Sequence, residues 1–221
     1  RMIHNMNGEI DFQPYSNNKN EFINSVSRSA LNKVLMDQAE QSGNVEILFN
    51  YSLLSVDDKN NELVFNNGER VVYHSCVFGA DGAGSTIRNF IDSKTKFPSY
   101  KDPLEHSYKE LNIAPNKSGD YQLDPNVLHI WPRGKFMLIA LPNFDKSFTC
   151  TLFLPNKGKI SFNSLKNKDS VHDFFQYYFN DILLMLEDFS NIFFENPTGK
   201  LSTIYSDVWQ YNNQFCLIGD A

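Results

Sequence analysis

A chain of 221 residues with 41% hydrophobic and 21% charged residues is long enough to bury a substantial core, and it reads as a globular protein. Its net charge of −6, with no basic stripe, argues against a nucleic-acid partner. The three cysteines (Cys76, Cys150 and Cys216) sit inside apolar runs without a CxxC pair or a His cluster, which points to reduced, buried thiols in a cytoplasmic setting and to no metal site. The longest apolar run, residues 136–141, is too short to cross a bilayer.

Residues 1–3 and 9–12 flank Asn7-Gly8, a dipeptide suited to a tight hairpin turn. Residues 30–41 carry Leu31, Val34, Leu35 and Ala39 at helical spacing, with Gly43 as the stop. A strand is expected over 45–49. Alternating segments at 53–56, 63–65 and 70–73, separated by Asn- and Asp-rich turns, read as a β-meander.

An apolar strand at 76–78 then runs into Gly79-Ala80-Asp81-Gly82-Ala83-Gly84-Ser85-Thr86-Ile87-Arg88. This is a strand delivering a carboxylate to the mouth of a helix. Glycines let a ligand approach the backbone, and the helix start offers N–H groups to an anion. In a functional reading Asp81 accepts bonds from ribose hydroxyls and Arg88 pairs with a phosphate. In a purely structural one it is an ordinary strand–turn–helix connection. The chain repeats the device at Phe215-Cys216-Leu217-Ile218-Gly219-Asp220-Ala221. Two strands that each end in a small residue and an aspartate imply one sheet presenting carboxylates along one edge, where open α/β sheets bind ligands.

From about residue 97 the strand–helix rhythm gives way to long alternating segments at 107–113, 127–131, 136–141 and 147–154. These predict an antiparallel sheet. Helices are expected at 169–179 and 182–189, and a weak segment at 192–206 leads to the last strand. Met137, Ile139 and Leu141 share one face of their strand and Phe136, Leu138 and Ala140 the other. Both faces are apolar, so both require cover, either by protein or, on one side, by a flat aromatic ligand. Arg28 opens the first helix, where a cation is mildly disfavoured. It is either a solvated charge or the partner of an anion such as a diphosphate.

Three stretches carry a family resemblance: Leu128-His129-Ile130-Trp131-Pro132-Arg133, then Phe136 to Asn143, then Lys146 to Phe153. With Arg1-Met2-Ile3-His4 and Ser25-Val26-Ser27-Arg28, they resemble the kynurenine 3-monooxygenase family over nearly the whole chain. The likeness is weakest at 157–206. It implies a mixed α/β, p-hydroxybenzoate-hydroxylase-like fold, incomplete at both ends, with a Rossmann-like FAD-binding portion and an antiparallel-sheet substrate domain. The implied division is a substrate-domain hairpin at 1–18, FAD-binding portions at 19–96 and 207–221, and the substrate domain at 97–206. FAD, reduced by NADPH and reacting with O₂, would hydroxylate the kynurenine ring beside its amino group, with no catalytic side chain required.

By position, the resemblance assigns Arg1 and Tyr15 to the carboxylate of a small aromatic amino acid. It assigns Leu128, Met137, Ile139, Leu141 and Phe153 to the wall around the ring. Arg28, Leu53, Asp81, Gly82 and Asp220 match FAD contacts, and Asp81 and Gly82 are tied to NADPH as well. The family's G-x-G-x-x-G turn would precede Arg1, and its Gly- and Pro-rich stretch would follow Ala221. Neither is in this sequence, so the segment by itself is expected to bind FAD poorly. A eukaryotic parent would be held on the mitochondrial outer membrane by an anchor beyond this region. The alternatives are a related flavin hydroxylase acting on another aromatic acid, and a non-catalytic module that kept the fold.

Overall fold

Strict alternation in β9 (Phe136–Pro142) and β10 (Phe148–Pro155) builds the centre of a seven-stranded sheet. The computed structural model describes residues 1–18 and 20–221. Lys19, where the sequence reading starts its FAD-binding portion, lies outside the described residues. The chain divides into two compact units, one formed by Arg1–Gln38 with Leu104–Leu201 and the other by Ala39–Pro103 with Ser202–Ala221.

In the first unit, β10 pairs antiparallel with β9 and with β7 (Tyr100–Ile113), and β9 pairs antiparallel with β8 (His129–Arg133). The hairpin of β1 (Met2–His4) and β2 (Ile10–Phe12) forms as the Asn7-Gly8 turn predicts. It joins the sheet through β1, which runs parallel to β8. The expected antiparallel sheet therefore has one parallel pair, because the strand from the chain start reaches β8 by a long excursion and not by a hairpin.

One face of this sheet is sealed by helices. Trp131, Leu138, Ala140, Phe148, Leu152 and Leu154 are fully buried. They pack in one cluster with Val171, Phe174 and Phe175 of α3 (Lys168–Tyr178) and with Phe179, Ile182, Phe189 and Phe193. Asn167 caps α3 by accepting the Ser170 N–H at 2.9 Å, and the Ser170 side chain returns the bond to the Asn167 N–H.

The second predicted helix is corrected: it is two short ones, α4 (Asn180–Leu183) and α5 (Phe189–Glu195). The break spans residues 184–188 and closes at Asp188, which adopts the left-handed conformation (φ 46°) and whose carboxylate accepts a bond from the Asn191 side chain. The weak 192–206 segment contains β11 (Gly199–Tyr205), an edge strand beside β7. Its pairing is non-local, so periodicity alone gave it little weight.

The second unit holds the β-meander of β3 (Leu53–Asp57), β4 (Glu62–Phe65) and β5 (Arg70–Val72), in that spatial order. It also holds β6 (Val77–Gly79) paired in parallel with β13 (Phe215–Leu217), whose other neighbour is β12 (Gln210–Tyr211). Its core joins Tyr73, Ile87, Ile91, Phe215 and Leu217.

The strand expected at 45–49 does not form. No described strand lies beside it to take its backbone N–H and C=O groups, and Val45, Leu48 and Phe49 are exposed. The first helix, α1 (Arg28–Gln41), forms as predicted, but none of its residues is buried.

Candidate functional site

The sheet face opposite the helices in the first unit is only half covered. Along β10 fully buried residues alternate with partly exposed ones, and Thr149, Thr151 and Phe153 belong to the second set. Strand register assembles their neighbours. Leu141 lies opposite Thr149, Ile139 opposite Thr151 and Met137 opposite Phe153. Ile130 of β8 lies opposite Ile139, and Ile3 of β1 lies opposite Ile130. Of the expected ring wall, Met137, Ile139, Leu141 and Phe153 thus share one patch, with Leu128 leading into β8.

Towards the β1–β2 edge of the sheet the Arg1 guanidinium stands 5.4 Å from the centroid of the Tyr15 ring. The backbones of Arg1 and Gln13 exchange hydrogen bonds of 2.6 and 2.8 Å, which fixes the strand that carries Arg1 to the one that leads to Tyr15. Both side chains are exposed. A guanidinium fork beside a phenol is suited to a carboxylate, since the fork donates two parallel bonds to its two oxygens.

The other face of β1 is anchored by a buried polar chain. His129 Nε2 lies 2.9 Å from the Asp124 carbonyl, an acceptor only, so this nitrogen carries the proton. His129 Nδ1 must then accept, and His4 Nε2–H donates to it at 2.9 Å. The His4 ring stacks on Trp131 at 4.2 Å, and Trp131 Nε1–H donates to Asp181 Oδ2 at 2.6 Å. Arg133 donates to the His4 carbonyl at 2.8 Å and to the Tyr178 carbonyl at 2.7 Å. The His4 and His129 partners are 125 residues apart, so no local pattern announces the pair.

Burial pushes His4 down from 6.5 to about 4, helped by His129 and Arg133 and opposed by Asp181; burial also lowers His129. Unfolded His4 takes a proton below about pH 6.5, whereas folded His4 takes one only near 4. Protons therefore favour the unfolded chain across that window. The urea midpoint should fall as pH drops from 6.5 towards 4, and His4→Gln should flatten this limb. An unaltered limb in that variant would refute the assignment.

In the second unit, Leu217 pairs with Gly79, so the Asp81 and Asp220 turns leave the same end of two adjacent parallel strands, as the paired motifs suggest. A Cβ on Gly79 would lie 2.7 Å from the Ile87 Cβ, so the close approach of α2 (Thr86–Lys94) to β6 needs glycine there. Gly82 has φ +73° and opens a one-turn 3-10 segment, Gly82–Gly84.

The start of α2 is largely satisfied from within. Asp81 Oδ2 accepts the Thr86 N–H at 2.7 Å and Ser85 Oγ the Arg88 N–H at 2.9 Å. Few of the N–H groups that the sequence reading offered to an anion therefore remain free. Arg88 is 5% exposed, and its guanidinium donates to the Ala83 carbonyl at 2.7 Å and to the Gly82 carbonyl at 3.5 Å. It braces the Asp-Gly turn from behind, a geometry that differs from an outward phosphate ligand.

Asp81 and Leu53 line one cavity of about 450 Å³, together with Tyr51, Phe65, Val77 and Thr86. The Thr86 hydroxyl donates to the Leu53 carbonyl at 3.1 Å, tying the meander to the turn. Asp220 lines a second cavity of about 230 Å³ with Ala83, Ser202 and Trp209. Sequence reasoning missed Tyr51 and Phe65, which have no motif of their own, and gave Thr86, within the Asp-Gly stretch, no role. Arg28, the first residue of α1, is exposed.

No family profile matches the chain. Curated relatives do, over its entire length: proteins of Dictyostelium discoideum (39% identical), Myxococcus xanthus (41%) and Flavobacterium psychrophilum (43%). These relatives are kynurenine 3-monooxygenases. The chain spans about half of their length, 48%, 48% and 50% respectively.

Among solved structures, 2-methyl-3-hydroxypyridine-5-carboxylic acid oxygenase matches with a TM-score of 0.67 at 18% identity, over 87% of this chain and 49% of its own. Klebsiella pneumoniae HpxO complexed with FAD and uric acid matches with a TM-score of 0.63 at 12% identity, over 88% of this chain and 47% of its own. At these identities the likeness is one of fold. The fold is the p-hydroxybenzoate-hydroxylase-like fold of flavin-dependent aromatic hydroxylases, mixed α/β with antiparallel sheets. The blocks resembling kynurenine 3-monooxygenase occupy β1, β8, β9 and β10, the strands that make the half-covered wall. Among the described residues no helix is long and apolar enough to cross a membrane.

Proposed function

We propose that the chain is part of an FAD- and NADPH-dependent hydroxylase acting on L-kynurenine, and that its first unit holds the substrate. The observation that carries this reading is the apolar wall of Met137, Ile139, Leu141 and Phe153 on the sheet whose edge bears Arg1 and Tyr15. An amino acid with one flat ring has that polarity: a charged end for the clamp and an aromatic end for the wall.

The residues of the second unit fit a nucleotide cofactor. Asp81 has one carboxylate oxygen engaged with Thr86 and the other without a protein partner among the described residues, so it can accept a hydroxyl. Leu53 would pack against the cofactor, Gly82 would allow backbone approach, and Asp220 would take a second hydroxyl. Arg88 would keep the Asp81 turn in shape. Arg28, which belongs to the first unit, would meet a phosphate on the strength of the resemblance. Bound FAD, with electrons from NADPH, would supply the O₂ chemistry. The chain's own part is to fork the carboxylate with Arg1, donate to it from Tyr15, lay the ring on the wall and keep water from that face. In this reading residues 1–18 and 97–206 serve the substrate, and 19–96 and 207–221 the cofactor.

The test is NADPH oxidation by the full-length protein, with and without L-kynurenine, with mass detection of 3-hydroxykynurenine. Stimulated oxidation coupled to that product is the expected result. Stimulation without product would make another aromatic the substrate, and a colourless, inert protein would favour a non-catalytic module.

A further inference from the structure

Thr151 is the one residue at the middle of the wall whose chemistry the wall does not explain. On the half-covered face its cross-strand neighbours are Ile139 and Glu110, and along its own strand Thr149 and Phe153 flank it. Thr149 already accepts a bond from Asn143 Nδ2 at 3.1 Å. No group among the described residues bonds the Thr151 hydroxyl, so it keeps both its donor and its acceptor capacity. A bound ring covering this face would bury the hydroxyl, and a buried unpaired hydroxyl is costly, so the ring should carry a partner for it.

The lateral position fits a substituent on the ring. Strand pairing puts Ile3 level with Thr151, so Arg1, just before β1, lies three strand spacings across and two residues along from Thr151, roughly 16 Å. An extended Arg side chain spans nearly half of that. The remainder matches a single-ring amino acid held by its carboxylate, and a larger fused ring system would overrun it.

We propose that Thr151 is a specificity-determining residue that accepts a hydrogen bond from the ring amino group of an arylamine amino acid. This rests on the placement of the substrate on the sheet wall proposed above. Val is the replacement of choice because it keeps the branched shape and removes only the hydroxyl.

The experiment measures equilibrium binding of L-kynurenine and of its analogue without the ring amine to the full-length FAD-loaded protein, as wild type, Thr151→Val, Glu110→Gln and Arg1→Ala. Thr151→Val is expected to weaken L-kynurenine binding about five- to tenfold and to leave the analogue's binding unchanged. Equal loss for both ligands, no loss for either, or an amine-selective loss in Glu110→Gln alone would overturn the assignment. Arg1→Ala separates the two levels: if it leaves both affinities intact, the placement of the substrate itself fails, whereas its loss beside a silent Thr151→Val refutes only the role of Thr151.

Discussion

Arg1→Ala in the full-length protein is expected to weaken L-kynurenine binding by about 2–3 kcal/mol, roughly 30- to 150-fold, with FAD content unchanged. The size follows from what is removed, a charge-assisted two-point contact to a carboxylate. Tyr15→Phe removes a single neutral donor and should cost about 1 kcal/mol. The Arg1 side chain stacks on Tyr15, so the two losses should not add: deleting the guanidinium also frees the ring that it orders. FAD content is the internal control, because the Asp81 turn is built from Ser85, Thr86 and Arg88 without any part of β1. Unchanged kynurenine affinity would remove Arg1 from the site.

Trp131→Ala should lower stability by about 3–5 kcal/mol, read as a shift of the urea midpoint at constant slope. Trp131 is fully buried between the sheet and its helices, so truncation leaves a cavity whose lining loses its contacts. The ring also supports His4 by stacking, and through it the strand that bears Arg1. Trp131→Phe divides the effect. It keeps most of the volume and loses the bond to Asp181, whose side chain is 43% exposed and regains water when the indole leaves. That loss should be near 1 kcal/mol, so packing outweighs the hydrogen bond. A Phe variant as unstable as the Ala variant would reverse that ranking.

Local chemistry made much of the fold legible. Asn7-Gly8 announced the hairpin, Asn66-Asn67-Gly68 a turn of the meander, and strict alternation sorted the residues of β9 and β10 into two faces without saying which the helices cover. The resemblance named the wall residues, and alternation had already placed Met137, Ile139 and Leu141 on one face. Where local signals were weak or partners distant, the reading diverged. Residues 45–49 have a strand's composition and no neighbouring strand among the described residues, and the helix expected at 182–189 stops at Leu183, a new one starting only after the left-handed Asp188.

Most element types, the two faces of the central strands and the two Asp-bearing turns follow from local sequence, since these depend on residues within a few positions of each other. That β1 lies parallel to β8, that His4 meets His129, and that Arg88 turns inward to the Gly82 and Ala83 carbonyls emerges in the folded chain. Those outcomes depend on which groups are desolvated together. A buried donor must find an acceptor wherever the chain places one, and spacing along the sequence does not record where that is.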